Sequence, residues 1–350
     1  MVRCSSVIGH FGEGKNLLNG QTIKTKIVTQ ELQNQIGKEQ VLKFDTGGGW
    51  KTLLKAPAQV LSALKRSENI LIFPAYNGLR VYTPLLKFFN RFFKRKLHYI
   101  VIGGWLPEFL KEKKELSKEL KTFNGIYVET NAMREALIKQ GFQNVFIMSN
   151  CKKLNILTES ELIYPADEPY KLCTFSRVMK EKGIAEAVKA VKAVNEELGK
   201  IVFELDIYGQ IECDQTEWFE ELNASFPEYI HYKGLIPYDC SVAVLKSYTA
   251  LLFPTFYEGE GFAGTIIDSF AAGVPVISSD WKYNAEIVQP HINGMLFETK
   301  NQTALVKNLR YIYENIGQFN KMKKNCIHEA EKYRPSNAMK PLLDNLTKDI

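Results

Sequence analysis

Two acidic residues, Glu260 and Asp268, have the sequence surroundings that most favour chemistry. They lie in the segment FPTFYEGEGFAGTIIDSFAAGVPVIS, residues 253–278. There an apolar run ends at Pro254, a loop rich in Gly and Glu follows, and small and apolar residues form a helical pattern up to Gly273. Ligands of an open parallel sheet bind beyond the carboxyl ends of the strands, and a glycine-rich loop that enters a helix offers N–H groups to phosphate oxygens. The segment therefore predicts a site for an anion of phosphate size.

The two carboxylates are not themselves suited to bind phosphate, because like charges repel each other. With Glu260 in the loop and Asp268 two turns into the helix, we expect them roughly on one face, about 12 Å apart at 1.5 Å per residue. Carboxylates accept hydrogen bonds from hydroxyls, so the pair suits a sugar and a ribose on either side of a diphosphate. In the structural alternative, Glu260 only favours the helix N-terminus electrostatically and Asp268 is a solvated side chain.

Residues 260–276, EGFAGTIIDSFAAGVPV, resemble the E-x7-E signature of retaining glycosyltransferases with the GT-B fold, in particular glycosyltransferase family 4 (group 1). The pattern of that family runs E-G-F-G, four residues, then E-A-M-A-x-G-x-P-V. In this chain Asp268 stands in place of the second Glu and Ala263 in place of the second Gly. The longer segment 254–288 is similar to members of the family that build bacterial surface polysaccharides.

A second match is the segment FSRVMKEKGI, residues 175–184. It is similar to the stretch of the family in which a basic pair, R-x4-K, holds the donor diphosphate, and Arg177 and Lys182 occupy those positions. Both lie in a predicted strand-to-helix turn that Gly183 closes, so a forked guanidinium, a point-charge ammonium and N–H groups converge on one anion. The alternative is that both are ordinary solvated cations of the surface.

The resemblance implies transfer of a sugar from a nucleotide diphosphate donor, a UDP- or GDP-sugar, to a saccharide or polyprenol-linked acceptor. It further implies retention of the anomeric configuration, with no metal and no cofactor. Glu260 would hold sugar hydroxyls, Asp268 the ribose, and the two cations the phosphates. The residues that it assigns to catalysis and donor binding are Arg177, Lys182, Glu260, Gly261, Phe262, Ala263, Gly264 and Asp268. A donor phosphate oxygen can take the acceptor proton, and His10 and His98 are the N-terminal histidines that could assist.

Two other classes of protein stay open. One is a nucleotide-sugar-binding partner subunit without catalysis, which the departures at Ala263 and Asp268 would suit. The other is a nucleotide-sugar epimerase on the same fold. A nucleic-acid binder is disfavoured, because the basic residues are dispersed and the formal net charge is only +6.

The stretch GHFGEGKN, residues 9–16, approaches the G-x4-G-K-[ST] phosphate loop of NTPases. Asn16 stands where a hydroxyl should ligate Mg²⁺, and we expect no apolar strand of this half to end in an Asp, so an NTPase is disfavoured. Under the resemblance the same loop faces the donor, with Gly12, Gly14 and Lys15 touching phosphate or acceptor. The alternative is a tight turn that needs Gly for its dihedral angles.

The 350 residues, of which 45% are hydrophobic, suffice for two domains. Short β-branched runs alternate with helical patterns, restarting after a polar stretch at 158–170 that we interpret as a linker. The expected fold class is α/β, specifically GT-B, with two doubly wound Rossmann-like domains facing each other across a cleft. We expect an acceptor-side domain over 1–163, with the helix 335–350 packing back on it, and a nucleotide-sugar-binding domain over 164–334.

The six cysteines are scattered, which indicates reduced thiols, and no apolar stretch reaches the length of a membrane span or a signal peptide. We therefore expect a cytoplasmic protein. The segment PLLKFFNRFFKRKL, residues 84–97, combines aromatic and basic residues as an interfacial helix does, and it predicts peripheral contact with the inner face of the cell membrane. The alternative is a core-packed helix with a solvated basic side.

Overall fold

The computed structural model describes residues 4–12, 20–47 and 54–347. The chain divides into two compact units. Unit 1 comprises Met1–Lys153 and Tyr333–Ile350, and unit 2 comprises Leu154–Lys332. The stretch interpreted as a linker thus lies inside unit 2. It packs there because Leu162 is buried against Gly273, and because Leu157, just before the stretch, donates a backbone hydrogen bond to the Ala271 carbonyl (2.9 Å).

Unit 1 contains a parallel sheet of six described strands in the order β2-β1-β3-β4-β5-β6. The strands are β1 (Ser5–Gly9), β2 (Val41–Asp45), β3 (Asn69–Ile72), β4 (Lys96–Ile100), β5 (Gly125–Val128) and β6 (Val145–Ile147). The helices are α1 (Gly20–Ile36), α2 (Ala56–Arg66), α3 (Tyr76–Phe93), α4 (Leu106–Lys111), α5 (Lys114–Leu120) and α6 (Asn131–Lys139). Strands β1, β3, β4 and β5 are buried throughout, as expected for strands covered by helices on both faces.

The chain returns to unit 1 at its C-terminal end through two short helices, α14 (Pro335–Ala338) and α15 (Lys340–Thr347). Met339, Leu342 and Leu346 are almost completely buried in the same core cluster as Val7 and Val28. The C-terminal residues therefore complete the hydrophobic core of the N-terminal unit.

A buried ion pair lies at the carboxyl ends of β4 and β5 in unit 1. Lys24 Nζ lies 2.5 Å from Glu129 Oε1, and both side chains are only 3% exposed. Lys24 also donates to the Val101 carbonyl at 3.3 Å. This pair is fully enclosed by the fold of unit 1.

Unit 2 contains a second parallel sheet of six described strands, in the order β12-β11-β10-β7-β8-β9. The strands are β7 (Tyr170–Phe175), β8 (Phe203–Tyr208), β9 (Ile230–Gly234), β10 (Ala250–Phe253), β11 (Val276–Ser279) and β12 (Gly294–Phe297). The helices are α7 (Ile184–Leu198), α8 (Thr216–Ala224), α9 (Ser241–Leu245), α10 (Gly264–Ala271), α11 (Asn284–Ile287), α12 (Gln302–Glu314) and α13 (Ile316–Ala330). The order reverses between β7 and β10, which is where a doubly wound sheet opens a crevice for its ligand.

Local capping and backbone conformation set three element boundaries, and the last of them corrects the expectation of an interfacial helix over residues 84–97. The N-cap of α6 is Thr130, whose hydroxyl accepts from the Met133 N–H, and Asn131 is the first helical residue. The helical stretch 301–332 is broken at Asn315, between α12 and α13, as well as before Pro335. The segment 84–97 is not one helix, because α3 ends at Phe93, Lys94 adopts a left-handed conformation, and β4 begins at Lys96.

Candidate functional site

The loop that carries the predicted cations Arg177 and Lys182, which we name the cationic loop, follows β7, at the point where the strand order of unit 2 reverses. It runs through a short 3-10 turn, Lys180–Lys182, to Gly183, which has φ +74° and caps the start of α7. A Cβ at position 183 would overlap the carbonyl oxygen of Pro254, which follows β10. Glycine is therefore required here both for the dihedral angle and for the close approach of the two loops.

This approach brings the predicted cation and the predicted acid together. Lys182 Nζ lies 2.5 Å from Glu260 Oε2, and the two residues are 9% and 7% exposed. Thr255 Oγ1 donates to the same Glu260 oxygen at 2.9 Å. The burial excludes the alternative in which Lys182 is an ordinary solvated cation, and Glu260 does more than bias a helix terminus.

Arg177 lies beside this pair but is half-exposed and has a different partner. Its Nη1 lies 2.6 Å from Glu212 Oε2. Burial alone would lower the pKa of Arg177, but hydrogen bonds to Tyr257 and Glu212 outweigh it and raise the pKa. The guanidinium thus remains charged, and some of its N–H donors are exposed to solvent.

The ring of Tyr257 joins the two cations. Arg177 Cζ lies 5.2 Å from the ring centroid and Lys182 Nζ lies 4.9 Å from it. Cations over an aromatic face are attracted by the ring quadrupole, which here offsets the repulsion between two like charges. Each cation also has a carboxylate partner, so the cluster has two positive and two negative side chains.

Asp268 lies in α10 and is only 4% exposed, so the alternative of a solvated side chain is excluded for it as well. Glu260 lies in the loop before α10, as expected, but the expectation that Asp268 lies two turns into the helix is wrong, because α10 begins at Gly264 and Asp268 lies about one turn after that. The loop between them is not helical, so the rise of a helix does not set their separation.

The backbone before and within the first turn of α10 carries the remaining predicted donor residues. Gly261 and Phe262 are buried, whereas Ala263 and Gly264 are half-buried. Ala263 is the N-cap and provides no side-chain bond to the first N–H groups of the helix. The hydroxyl of Thr265, in the first turn, is buried without a hydrogen-bond partner among the described residues.

Residues 160–333 match the protein family Glycosyl transferases group 1. This region is a glycosyltransferase group 1 domain. It contains the cationic loop, Tyr257, Glu260 and Asp268.

Among curated proteins, the chain is similar to the GtfA subunit of the UDP-N-acetylglucosamine–peptide N-acetylglucosaminyltransferase of Streptococcus pneumoniae. The identity is 31% over 135 residues, which cover 38% of this chain and 25% of the relative. This chain spans about a quarter to a third of the length of the curated relatives that it matches.

Two solved structures share the fold. HepE of Anabaena, in complex with UDP and glucose, has a TM-score of 0.72 at 13% identity, over 99% of this chain and 100% of that one. The GtfA/B complex has a TM-score of 0.62 at 20% identity, over 80% of this chain and 57% of that one. The two six-stranded parallel sheets with their helices thus have the GT-B fold, with two Rossmann-like domains, as the sequence predicted.

The loop after β1, in the unit that precedes the glycosyltransferase domain, is only partly described. Gly12 has φ +62°, a conformation that favours glycine. Three residues of the predicted loop lie outside the described residues, namely Gly14, Lys15 and Asn16, the last being the residue that differs from the NTPase phosphate loop.

The expectation that no strand of this half ends in an Asp is wrong, because β2 ends at Asp45. Asp45 Oδ1 accepts the N–H groups of Phe11 and Gly47, at 2.9 and 2.8 Å, and so it braces this loop.

The two N-terminal histidines differ in access. His98 lies within β4 with no exposed surface, and burial lowers its pKa to about 3, so it cannot reach an acceptor. His10 follows β1, is half-buried, and its Nδ1 lies 2.8 Å from the Thr22 hydroxyl.

Within the described ranges, no group of three His, Cys, Asp or Glu side chains has the arrangement of a metal site.

Sequence reasoning missed Tyr257, Glu212 and Thr265. Tyr257 belongs to the segment that carries the E-x7-E signature, but an aromatic residue in a loop has no motif of its own. Glu212 lies 35 residues beyond its partner Arg177, and its only signal would have been its place after β8, next to the switch point. Thr265 could have been found as a hydroxyl in the first turn of the helix after a phosphate loop.

Proposed function

We infer that this chain is a retaining, metal-independent hexosyltransferase of glycosyltransferase family 4. It transfers a sugar from a nucleotide diphosphate donor to a saccharide or polyprenol-linked acceptor. The observation that carries this inference is the buried contact between Lys182 and Glu260, with Arg177 on the same Tyr257 ring, at the strand-order reversal of a group 1 domain. The bacterial surface-polysaccharide pathway, suggested by the likeness of residues 254–288, is the setting that we propose.

The charges of the site suit a reaction in which negative charge builds on a leaving diphosphate. Arg177 and Lys182 stabilise that charge, and the N–H groups at Gly261 to Gly264 add fixed dipoles. Because Tyr257 holds both cations before the donor arrives, little reorganisation is needed during the reaction. Glu260 then accepts bonds from hydroxyls of the transferred sugar, and Asp268 from the ribose.

We propose a UDP-sugar as the donor. The curated relative is named for UDP-N-acetylglucosamine, and HepE was crystallised with UDP and glucose. A GDP-sugar is the alternative to be tested. Gly12, Gly14 and Lys15 of the loop after β1 are proposed to contact phosphate or acceptor, and His10 is the histidine placed to assist at that loop.

The test combines donor binding and transfer. Thermal-shift screening of the full chain against UDP- and GDP-sugars should show stabilisation by a UDP-sugar, by about 2.7 kcal/mol at a hundredfold excess over Kd. Transfer to an acceptor panel should fall at least tenfold in Arg177→Ala and Glu260→Ala. Lys189→Ala, which removes an exposed cation of α7, serves as the control. NMR of the product reports its anomeric configuration. Full activity in both site variants, or an inverted product, would contradict the proposal.

A second candidate is a nucleotide-sugar-binding subunit that acts with a partner chain. It is favoured by the word subunit in the name of the curated relative, and by the solved GtfA/B complex. Release of free UDP from donor plus acceptor by the isolated chain would decide against it.

We also propose peripheral membrane contact through α3 and the residue that follows it, on the cytoplasmic side. Phe88 and Phe92 are 50% and 70% exposed, and the Arg91 guanidinium lies 4.7 Å from the Phe88 ring. Every charged residue of α3 is basic. Exposed rings among cations suit the interface of an anionic bilayer. In the described part of the chain, no helix combines the length and apolarity needed to cross a bilayer.

Flotation with phosphatidylglycerol vesicles tests this contact. Of the basic residues in the predicted segment, Lys96 is buried in β4 and Arg95 donates to the Leu64 carbonyl, so neither is a free surface cation. The informative variants are Phe88→Ala/Phe92→Ala and Lys87→Glu/Arg91→Glu/Lys94→Glu, each of which should weaken flotation at least fivefold. Ile138→Ala and Lys114→Glu/Lys118→Glu/Lys139→Glu, at exposed positions elsewhere in unit 1, are the matched controls. Absence of flotation by the unaltered chain would end the idea.

A further inference from the structure

Three aromatic side chains meet at the carboxyl edge of the sheet in unit 1, and the function proposed above does not use them. Tyr76 follows β3 and begins α3, and Trp105 and Phe109 follow β4. We name Tyr76, Trp105 and Phe109 the aromatic platform. In the order β2-β1-β3, the connections after β1 and β3 leave in opposite directions, so this edge is where a ligand of unit 1 is expected.

The rings of the aromatic platform contact one another in a fixed arrangement. The centroids of Tyr76 and Trp105 are 4.1 Å apart with 32° between the ring planes. Phe109 lies edge-on to both, at 5.3 Å from Tyr76 and 5.2 Å from Trp105. Tyr76 is nevertheless 47% exposed, and the other two rings are only part-buried. A large area of aromatic ring surface is therefore exposed to solvent at this edge of the sheet.

Hydrogen bonds hold the turns on both sides of the platform. Trp105 Nε1 donates to the Ile102 carbonyl at 2.9 Å. In the turn after β3, Tyr99 Oη donates to the Pro74 carbonyl at 3.0 Å, and Gln21 Nε2 donates to the Phe73 carbonyl at 3.1 Å. Since the indole N–H is already satisfied, the surface that Trp105 offers is its ring. A preformed surface of this kind loses little conformational entropy when a ligand binds.

The occupant must suit exposed ring surface with polar groups at its border. The rings carry negative charge on their faces, which attracts the weakly positive C–H groups of a pyranose ring. Asn77, next to Tyr76, and Glu108, next to Phe109, are exposed polar residues that can bond hydroxyls. No charged residue belongs to the platform itself, so an anion is disfavoured.

We propose that the aromatic platform binds the acceptor, and that the acceptor is a saccharide whose pyranose ring stacks on Tyr76. This rests on the proposed function, because it assigns the acceptor of that transfer to unit 1. It goes further in naming the side chains that bind the acceptor and in choosing a saccharide ring as the group that they bind, whereas the curated relative is named for a peptide acceptor.

Saturation-transfer NMR on the full chain, with UDP present, tests the proposal. The probes are chitotriose, cellotriose and maltotriose, with a serine-rich peptide as the other arm. We expect at least one trisaccharide to receive saturation through its ring protons and the peptide to receive none. In Tyr76→Ala the saccharide Kd should rise at least tenfold, and in Tyr76→Phe it should change less than twofold. Tyr164→Ala, which removes another exposed tyrosine ring, is the matched control.

Binding of UDP separates this proposal from the proposed function. Tyr76→Ala should leave the Kd for UDP unchanged, whereas Arg177→Ala should raise it. If UDP binds and Arg177→Ala weakens it, but no trisaccharide binds or Tyr76→Ala binds it normally, the platform proposal is overturned while the donor site stands. Binding of the peptide alone would likewise overturn it.

Discussion

Among the described residues of each unit, a buried Lys–Glu pair lies at the carboxyl edge of the sheet, with the same separation of 2.5 Å between nitrogen and oxygen. Lys24 and Glu129 in unit 1 are 3% exposed, and Lys24 also donates to a backbone carbonyl. Lys182 and Glu260 in unit 2 are less enclosed and share their surroundings with a second cation over one ring. A short ion pair thus does not identify a functional site. What distinguishes the second pair is a second cation beside it, Arg177, which is half-exposed and lies over the same Tyr257 ring.

The largest effect that we expect is the loss of stability when the pair of unit 1 is broken. Lys24→Met leaves the Glu129 carboxylate buried without its cation, which should lower the free energy of unfolding by about 3–5 kcal/mol. Urea unfolding measures this loss, and Lys26→Met, an exposed residue on the same helix, is the control. Transfer activity per folded molecule should not change. An equal loss in the control, or none in Lys24→Met, would contradict a structural role for this pair.

The corresponding change in unit 2 should affect turnover more than stability. In Lys182→Met we expect kcat/KM to fall at least a hundredfold, about 2.7 kcal/mol, because a cation that stabilises the leaving diphosphate is lost. The loss of folding free energy should be smaller than in Lys24→Met, because removing Lys182 also relieves its repulsion of Arg177. Steady-state kinetics and urea unfolding on the same preparation check both. If Lys182→Met is destabilised but keeps its turnover, the pair of unit 2 has the same structural role as the pair of unit 1, and the prediction is contradicted.

Another buried lysine, Lys323, extends the comparison, because its partners are carbonyl groups and not a carboxylate. Lys323 is 1% exposed and donates to the Tyr248 and Gly273 carbonyls, and burial lowers its pKa to about 8. Between pH 8 and 10.5 the unfolded chain binds a proton at this residue that the folded chain does not. Stability should therefore rise with pH across this window, by up to about 1.4 kcal/mol per pH unit. Unfolding of the unaltered chain and of Lys323→Met at several pH values isolates this slope, which should be missing from the variant.

The smallest effect concerns the carboxylate that occupies Arg177. Since Glu212 competes with phosphate for the guanidinium, Glu212→Gln should bind UDP two- to fivefold more tightly, less than about 1 kcal/mol for a half-exposed pair. Titration calorimetry at low salt measures the change, and Glu217→Gln, which removes an equal charge from the first turn of α8, is the control. Weaker binding in Glu212→Gln would mean that Glu212 orients Arg177 instead of competing for it.

Much of the fold could be predicted because both sheets are parallel and buried on both faces. Their strands are short apolar runs between helical patterns, as in β3 and β10, and such runs can be recognised in the sequence. Breaks that depend on one polar residue, such as the end of α12 before Asn315, have no comparable signal. Helix boundaries depend on local capping bonds, which several neighbouring residues could have made.

The residues of the candidate site could be predicted from the sequence, but not which side chains contact one another. Lys182 and Glu260 were found from their motifs, yet their contact spans 78 residues of sequence and depends on how Gly183 approaches Pro254. The same limitation hid Glu212, because the sequence does not reveal which acid neutralises Arg177. Tyr257 was hidden because an aromatic residue in a loop has no motif that predicts which cations it contacts.

Because the C-terminal residues return to unit 1, the order in which the two units can complete their folding during synthesis is affected. Domains usually fold in the order in which the ribosome makes them. Here the N-terminal unit lacks Met339, Leu342 and Leu346 until synthesis has passed residue 346, whereas all of unit 2 has been made by residue 332. The half that is translated first is therefore finished last. Until then its nascent core lacks the side chains that complete it.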